Sequence, residues 1–251
     1  MTFLTVDIAF RLTGRMRECA LAVSELLVAR MREAGRPSAF QLGHPFTPGG
    51  VSCQPHVSVF MLRLRSADVD RLRERTRSAV ADLAPIEAAG ASWGHNPLGA
   101  PELYLRHSPD WLRLQQVVVA AAEPLRAGLR DTDPAGDRLD DVVTRLLRDE
   151  PQSPRLRQLA RYGYDEVTDD EDDRFRPHVT FAWPQAEPAP EPEPAARQPH
   201  VSLAGLPEPA SCHGVLAELA LYRMGSHGTC LEDLGAVHLG ADPVRSAGLR
   251  D

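Results

Sequence analysis

Two segments of this chain begin with nearly the same words. Gln54-Pro55-His56-Val57-Ser58-Val59-Phe60 and Arg176-Pro177-His178-Val179-Thr180-Phe181-Ala182 both read Pro-His-Val-(Ser/Thr)-apolar-apolar, 122 positions apart. Their β-branched and apolar residues predict strands. In a strand, residues i and i+2 share a face. His56 with Ser58, and His178 with Thr180, therefore each present an imidazole and a hydroxyl to one side, while Val57 and Val179 face into packing. If the two strands lie side by side, two imidazoles and two hydroxyls converge on one cleft. This two-fold similarity constrains the fold more than any other feature of the chain.

The rest of the pattern fits around it. Thr5–Leu12 alternates as a strand, and a helix follows with Met16, Cys19, Ala20, Val23, Leu26, Leu27 and Met31 on one face and Gly35 as its stop. Residues 36–55 hold four prolines and three glycines and read as a long loop. His56–Leu64 is a strand, Asp68 opens a helix, strands recur at 86–93 and 102–106, and Trp111–Leu125 is an amphipathic helix whose stripe Trp111, Leu114, Val118, Ala122, Leu125 is core. Short helices follow at 139–147 and 155–162, then strands at 178–183, 215–222 and 236–239. The order β-α-β-α-β-β-α predicts an α+β or α/β domain. Thr168–Asp173 is an acidic, solvated loop. Residues 184–199, with six prolines and three glutamates, form an extended linker or surface loop.

Composition limits the chemistry. All 28 basic residues among the 251 are arginine, so no Schiff base, P-loop lysine or adenylylated lysine is available. A net charge of −7 opposes a broad grip on long nucleic acid but leaves room for a small anion held by a few arginines. Cys19, Cys53, Cys212 and Cys230 show neither CxxC pairs nor regular spacing, so neither a zinc site nor a disulfide framework is expected. Cys53 reads as the end of a loop rather than a nucleophile. No basic leader and no run of about 18 apolar residues occurs, which suggests a cytoplasmic protein without a membrane segment. Two imidazoles and two hydroxyls suit in-line displacement at phosphorus. One imidazole takes the proton of the attacking water, the other protonates the departing oxygen, and the hydroxyls hold non-bridging oxygens. A histidine pKa near 6.5 makes both protonation states accessible.

The two HxS/T motifs resemble those of the 2H phosphoesterase superfamily, in particular its bacterial 2′-5′ RNA ligase/2′,3′-cyclic nucleotide phosphodiesterase branch. Phe175-Arg-Pro-His-Val-Thr180 resembles the usual second motif, and Leu219–Tyr222 with Gly225–Cys230 and the strand to Leu239 resembles the closing hairpin. The resemblance covers most of residues 3–240. It implies a single bilobal domain over 1–251: two pseudo-symmetric lobes, antiparallel sheets flanking a central cleft, helices outside, with insertions at about 130–173 and 184–199. It implies metal-independent hydrolysis of 2′,3′-cyclic phosphates of nucleotides or RNA ends to 2′-phosphates, and/or making and breaking of 2′-5′ bonds, with no cofactor. His178 would be the base, His56 the acid, and Ser58 and Thr180 the phosphate-holding hydroxyls. The partner would be a nucleotide or RNA terminus and the protein a monomer. A non-catalytic nucleotide or RNA-end binding module on the same scaffold is the alternative.

Other candidates are weaker. Gln198-Pro-His200-Val-Ser202 is a third copy of the motif, but it stands at the end of the proline-rich stretch and lacks the Phe-Arg-Pro context. Arg176 is expected either to face phosphate or to pair with the acidic run before it. His44, His95 and His107 read as loop or surface residues. His213, His227 and His238 have no partner at metal-ligand spacing, so no metal is expected.

Overall fold

The computed structural model describes residues 2–169, 171–185 and 200–240. Most of the proline-rich stretch, 186–199, lies outside them. The elements in chain order are β1 (Phe3–Arg11), α1 (Gly14–Glu33), β2 (His56–Arg65), α2 (Val69–Val80), β3 (Ile86–His95), β4 (Pro101–Leu105), α3 (Pro109–Ala122), α4 (Leu139–Asp149), α5 (Pro154–Tyr162), β5 (His178–Thr180), β6 (His213–Leu216), β7 (Glu218–Met224) and β8 (Cys230–His238). The strands form two four-stranded sheets, ordered β2-β1-β7-β8 and β5-β4-β3-β6. Every recorded pairing is antiparallel. This is the expected α+β architecture of two lobes.

Both motif strands are edges, and each lies next to an acid-bearing strand. β2 pairs with β1, and β5 pairs with β4. The two edges also approach each other, so the paired motifs meet where the lobes face. The expected strand over 215–222 is two strands: β6 joins β3 in one sheet and β7 joins β1 in the other. Around Ala217 the chain thus changes lobes, a step invisible to residue pattern because both strands are apolar. β5 is only three residues long, and beyond it Phe181, Ala182 and Trp183 are buried outside the ladder.

The helices cover the sheets crosswise. α1 follows a strand of the first sheet but packs on β6 of the second, while α2 contacts β8 and α3 contacts β2 of the first. α1 buries Met16, Ala20, Val23, Leu27 and Met31 of the expected apolar face, together with Ser24, while Cys19 is half-buried and Leu26, at the margin of that face, is exposed. The Ser24 hydroxyl donates to the Phe181 carbonyl (2.6 Å) and accepts from the Leu42 amide (2.9 Å), tying helix, loop and the exit of β5 together. One apolar cluster runs through both lobes, from Ile8, Phe10 and Phe60 to Leu103, Trp111 and Phe181. The chain between β4 and β5 carries a helical hairpin with a small core of its own: Leu139, Val142 and Leu146 of α4 against Leu156 and Leu159 of α5. Ser153 caps α5 through the Leu156 amide, and Gly163 closes it at φ +67°, a left-handed conformation natural to glycine.

One sequence expectation is corrected here. Cys19 on α1 and Cys212 before β6 are joined as a disulfide across 193 positions. Spacing along the chain cannot reveal such a pair, because it is the packing of α1 on the far sheet that brings the two residues together.

Candidate active site

Each motif histidine is held by its own strand entrance. His56 Nδ1 lies 2.7 Å from the Gln54 carbonyl, and His178 Nδ1 lies 2.6 Å from the Arg176 carbonyl. In both cases the acceptor is the residue before the proline. A residue preceding proline is driven to extended backbone, which turns that carbonyl back toward the ring two positions on. A carbonyl can only accept, so Nδ1 carries the hydrogen in both rings and Nε2 is left for chemistry. The Pro-His wording is thus a device for fixing the tautomer.

The Nε2 atoms face carboxylates. His56 Nε2 is 3.9 Å from Asp7 Oδ2, and His178 Nε2 is 3.7 Å from Glu102 Oε1. Ser58 donates to the same Asp7 oxygen at 2.6 Å, and Thr180 to the same Glu102 oxygen at 3.3 Å. A tyrosine ring flanks each imidazole, Tyr222 beside His56 and Tyr104 beside His178, both with centroids 6.2 Å apart. The lobes therefore repeat a constellation of histidine, hydroxyl, carboxylate and tyrosine. The hydroxyl protons point at carboxylates, so a phosphate oxygen would have to compete for them.

Burial and charge set the protonation states. Asp7 is wholly buried, with Oδ1 lacking a hydrogen-bond partner among the described residues. Burial lifts its pKa to about 6, against the pull of His56, Ser58 and Arg130. Burial lowers the pKa of His56, but its contacts with Cys53 and Asp7 outweigh this and carry it to about 9. For His178, burial again pulls down while Glu102, Glu166 and the Arg176 carbonyl push up, and the net shift is upward. Burial lifts the Tyr222 hydroxyl to about 12 and also raises Tyr104, so both stay protonated donors.

The remaining candidates fall elsewhere. It is the carbonyl of Arg176 that meets His178; its guanidinium reaches Asp173 (3.5 Å) and the Phe175 carbonyl. His200 stacks on His95 with ring centroids 4.7 Å apart. His227 leans on the Trp183 ring and His107 on Phe175.

Sequence reasoning missed several site residues. Asp7 and Glu102 carried no local signal, because a lone acid within an apolar strand is legible only as an anomaly in the alternation. Arg130 is supplied by the stretch that reads as an insertion. It is buried, lies over the Tyr164 ring at 5.3 Å, and lines a cavity of about 310 Å³ with Thr5, Met61, Asp133 and Arg223. The cysteines are the largest correction. Cys53, His56 and Cys230 lie together, their ligand atoms all within 4.8 Å of one another, and they could hold a metal ion. The missed signal is Cys53-Gln-Pro-His56, two donors separated by two residues.

No family model matches the chain, and no curated protein matches it. Among solved structures, TT0787 of Thermus thermophilus superposes with a TM-score of 0.50 at 18% identity, covering 95% of this chain and 100% of that one. The two chains thus share this α+β fold of two antiparallel sheets. E. coli LigT complexed with NADP+ follows at 0.47 and 11% identity, covering 95% of this chain and 99% of LigT. LigT complexed with phosphate gives 0.47 and 13%, covering 96% and 99%. No helix among the described residues is long and apolar enough to cross a membrane.

Proposed function

We propose that this 2H-fold chain is a phosphoesterase that opens 2′,3′-cyclic phosphates of nucleotides or RNA ends to 2′-phosphates, and that the same site makes or breaks 2′-5′ phosphodiester bonds. The observation that carries this reading is the repeated constellation: two imidazoles on facing edge strands, each with Nδ1 tied to a backbone carbonyl and Nε2 beside a carboxylate. Water attacks phosphorus in line. Its proton passes to His178 Nε2 as the new P–O bond forms. The bond from phosphorus to the 3′-oxygen breaks, and His56 Nε2 supplies the proton that oxygen needs. The strong upward push on His56 suits the acid, and the weaker push on His178 suits the base.

Asp7 and Glu102 are positioning residues in this scheme, holding the rings and favouring their imidazolium forms. Arg130, buried at the edge of the cavity of about 310 Å³ and close enough to Asp7 to pull on its charge, supplies positive charge for the phosphate or an adjoining anionic group. The two histidines and water complete the proton transfers without a resident metal or cofactor. Ligation would be the reverse of a transesterification, driven by mass action, since there is no lysine to carry an adenylyl group. A 5′-hydroxyl attacks the cyclic phosphate in place of water and its proton passes to one imidazole, while the bond to the 3′-oxygen breaks and that oxygen takes a proton from the other.

The test is turnover of the four 2′,3′-cyclic nucleotides and of 2′-5′ dinucleotides by wild type, His56→Ala and His178→Ala. Each variant is expected to lose about 10²–10⁴-fold in kcat, as for removal of a general acid or base. Near wild-type rates in either variant would overturn the reading. Tight nucleotide binding with no turnover in the wild type would show a binding module instead.

A further inference from the structure

Neither Cys53 nor Cys230 transfers a proton or holds phosphate in the chemistry above, yet both thiols stand against the histidine proposed to be the acid. Cys230 Sγ lies 3.4 Å from His56 Nδ1 and 3.8 Å from Nε2. Cys53 is fully buried and Cys230 nearly so. Buried cysteines commonly serve as small apolar side chains. These two meet each other and an imidazole instead.

We propose that Cys53, His56 and Cys230 form a binding site for zinc, and that zinc there switches the phosphoesterase off. The distances suit the ion. With Zn–S near 2.3 Å and Zn–N near 2.0–2.1 Å in tetrahedral geometry, sulfur–nitrogen separations come to about 3.6 Å and sulfur–sulfur separations to about 3.8 Å. The donors lie within 4.8 Å of each other before any ion draws them in. The ring is prepared as well. Nδ1–H already donates to the Gln54 carbonyl at 2.7 Å, the outer hydrogen bond that ligating histidines make, leaving Nε2 to bind. Two thiolates and a neutral imidazole cancel the charge of a divalent ion, so burying it leaves no net charge. Binding displaces the thiol protons to solvent. Soft sulfur donors select zinc over magnesium or calcium. Cys230 also lines a cavity of about 220 Å³ with Arg11, Gln54 and Tyr222, which gives an ion a path to the cluster.

The inhibitory part of this inference rests on the proposed function. A metal on His56 Nε2 occupies the lone pair through which that ring would pass its proton, so the ring can no longer serve as an acid. The site combines a short-range pair, Cys53 and His56, with a remote residue, Cys230, at the start of β8. Zinc would thereby clamp the entrance of edge strand β2 to the far side of its own sheet.

The experiment uses the full chain, stripped with EDTA and kept under nitrogen without added reductant so that Cys19–Cys212 stays closed. Cobalt(II) is titrated first and zinc second. The expected result is one thiolate-to-cobalt charge-transfer band at one equivalent, bleached by zinc. Hydrolysis of a 2′,3′-cyclic nucleotide should fall about 10²-fold or more with the same zinc midpoint, and EDTA should restore it. Cys53→Ser, Cys53→Ala and Cys230→Ser should lose the band, and zinc should no longer change each variant's rate relative to its own metal-free rate. Thermal unfolding confirms which variants are folded. His178→Ala, inactive in the proposed mechanism, should keep the band. Absence of a band in wild type, or its persistence in all three cysteine variants, overturns the site. A band with no change in rate in an active wild type overturns the switch. A band in a wild type that hydrolyses no phosphodiester leaves the metal site standing and removes the phosphoesterase reading.

Discussion

Asp7 gives a sharp test of how this site is built. Its carboxyl is wholly buried and its pKa is raised from 3.8 to about 6. The folded chain therefore holds this proton more tightly than the unfolded chain. The stability Asp7 contributes is full below pH 3.8 and is lost as pH rises through about 6. At 1.36 kcal/mol per tenfold change in proton affinity, that gap corresponds to roughly 3 kcal/mol. Asp7→Asn keeps the shape and can still accept from Ser58, but it never ionises. The amide's own packing cost does not change with pH, and the weaker hold on the His56 proton matters mainly at higher pH, where His56, raised to about 9, titrates. Urea denaturation of both proteins in EDTA, from about pH 4 to about pH 8, should show the variant gaining on wild type by most of that gap, roughly 2.5 kcal/mol, because at pH 4 the unfolded carboxyl is already partly ionised. The same substitution should slow phosphodiester hydrolysis, because His56 loses one of the charges that keep it protonated. A stability difference that is flat with pH, or that drifts the other way, would refute the claim that Asp7 is ionised at a cost to the fold.

Three further outcomes follow from the same geometry. Glu102→Gln removes the carboxylate 3.7 Å from His178 Nε2, so the acidic limb of the pH–rate profile, where His178 must lose its proton, should move to lower pH; an unmoved limb would detach Glu102 from the base. Arg130→Met should raise KM for a cyclic nucleotide about tenfold, the loss of one charge-assisted contact, while Arg176→Ala, whose side chain pairs with Asp173, should leave KM and kcat near wild type; the reverse pattern would restore Arg176 as the phosphate ligand. Cys19→Ser should lower unfolding free energy by about 2–5 kcal/mol, since the bond closes a very long loop, and thiol titration of the unfolded, unreduced wild type should find two free thiols; four free thiols would show that the bond does not form.

Much of the fold was legible in the residues because strands and helices are written in short-range periodicity. The apolar face of α1, the stripe of α3 and the two Pro-His-Val starts each depend only on neighbours within a few positions. The repeated motif even carried the two-lobed plan, because the same local wording produces the same strand entrance twice. The tautomer of each histidine was likewise set locally, by the carbonyl before its proline. What the sequence could not carry was every relation between distant positions. The change of sheet around Ala217, the packing of α1 on the far lobe and the Cys19–Cys212 bond all depend on which faces bury each other, and many apolar faces are interchangeable in composition. The same holds at the site. Asp7 and Glu102 become partners of the histidines only through strand pairing, Arg130 reaches the cavity from a segment that reads as an insertion, and Cys230 comes within 3.4 Å of His56 from 174 positions away. Sequence determined which groups could do chemistry and how their rings are held; the tertiary structure decided which charges and thiols surround them, because electrostatics and metal-ligand geometry act through space and not along the chain.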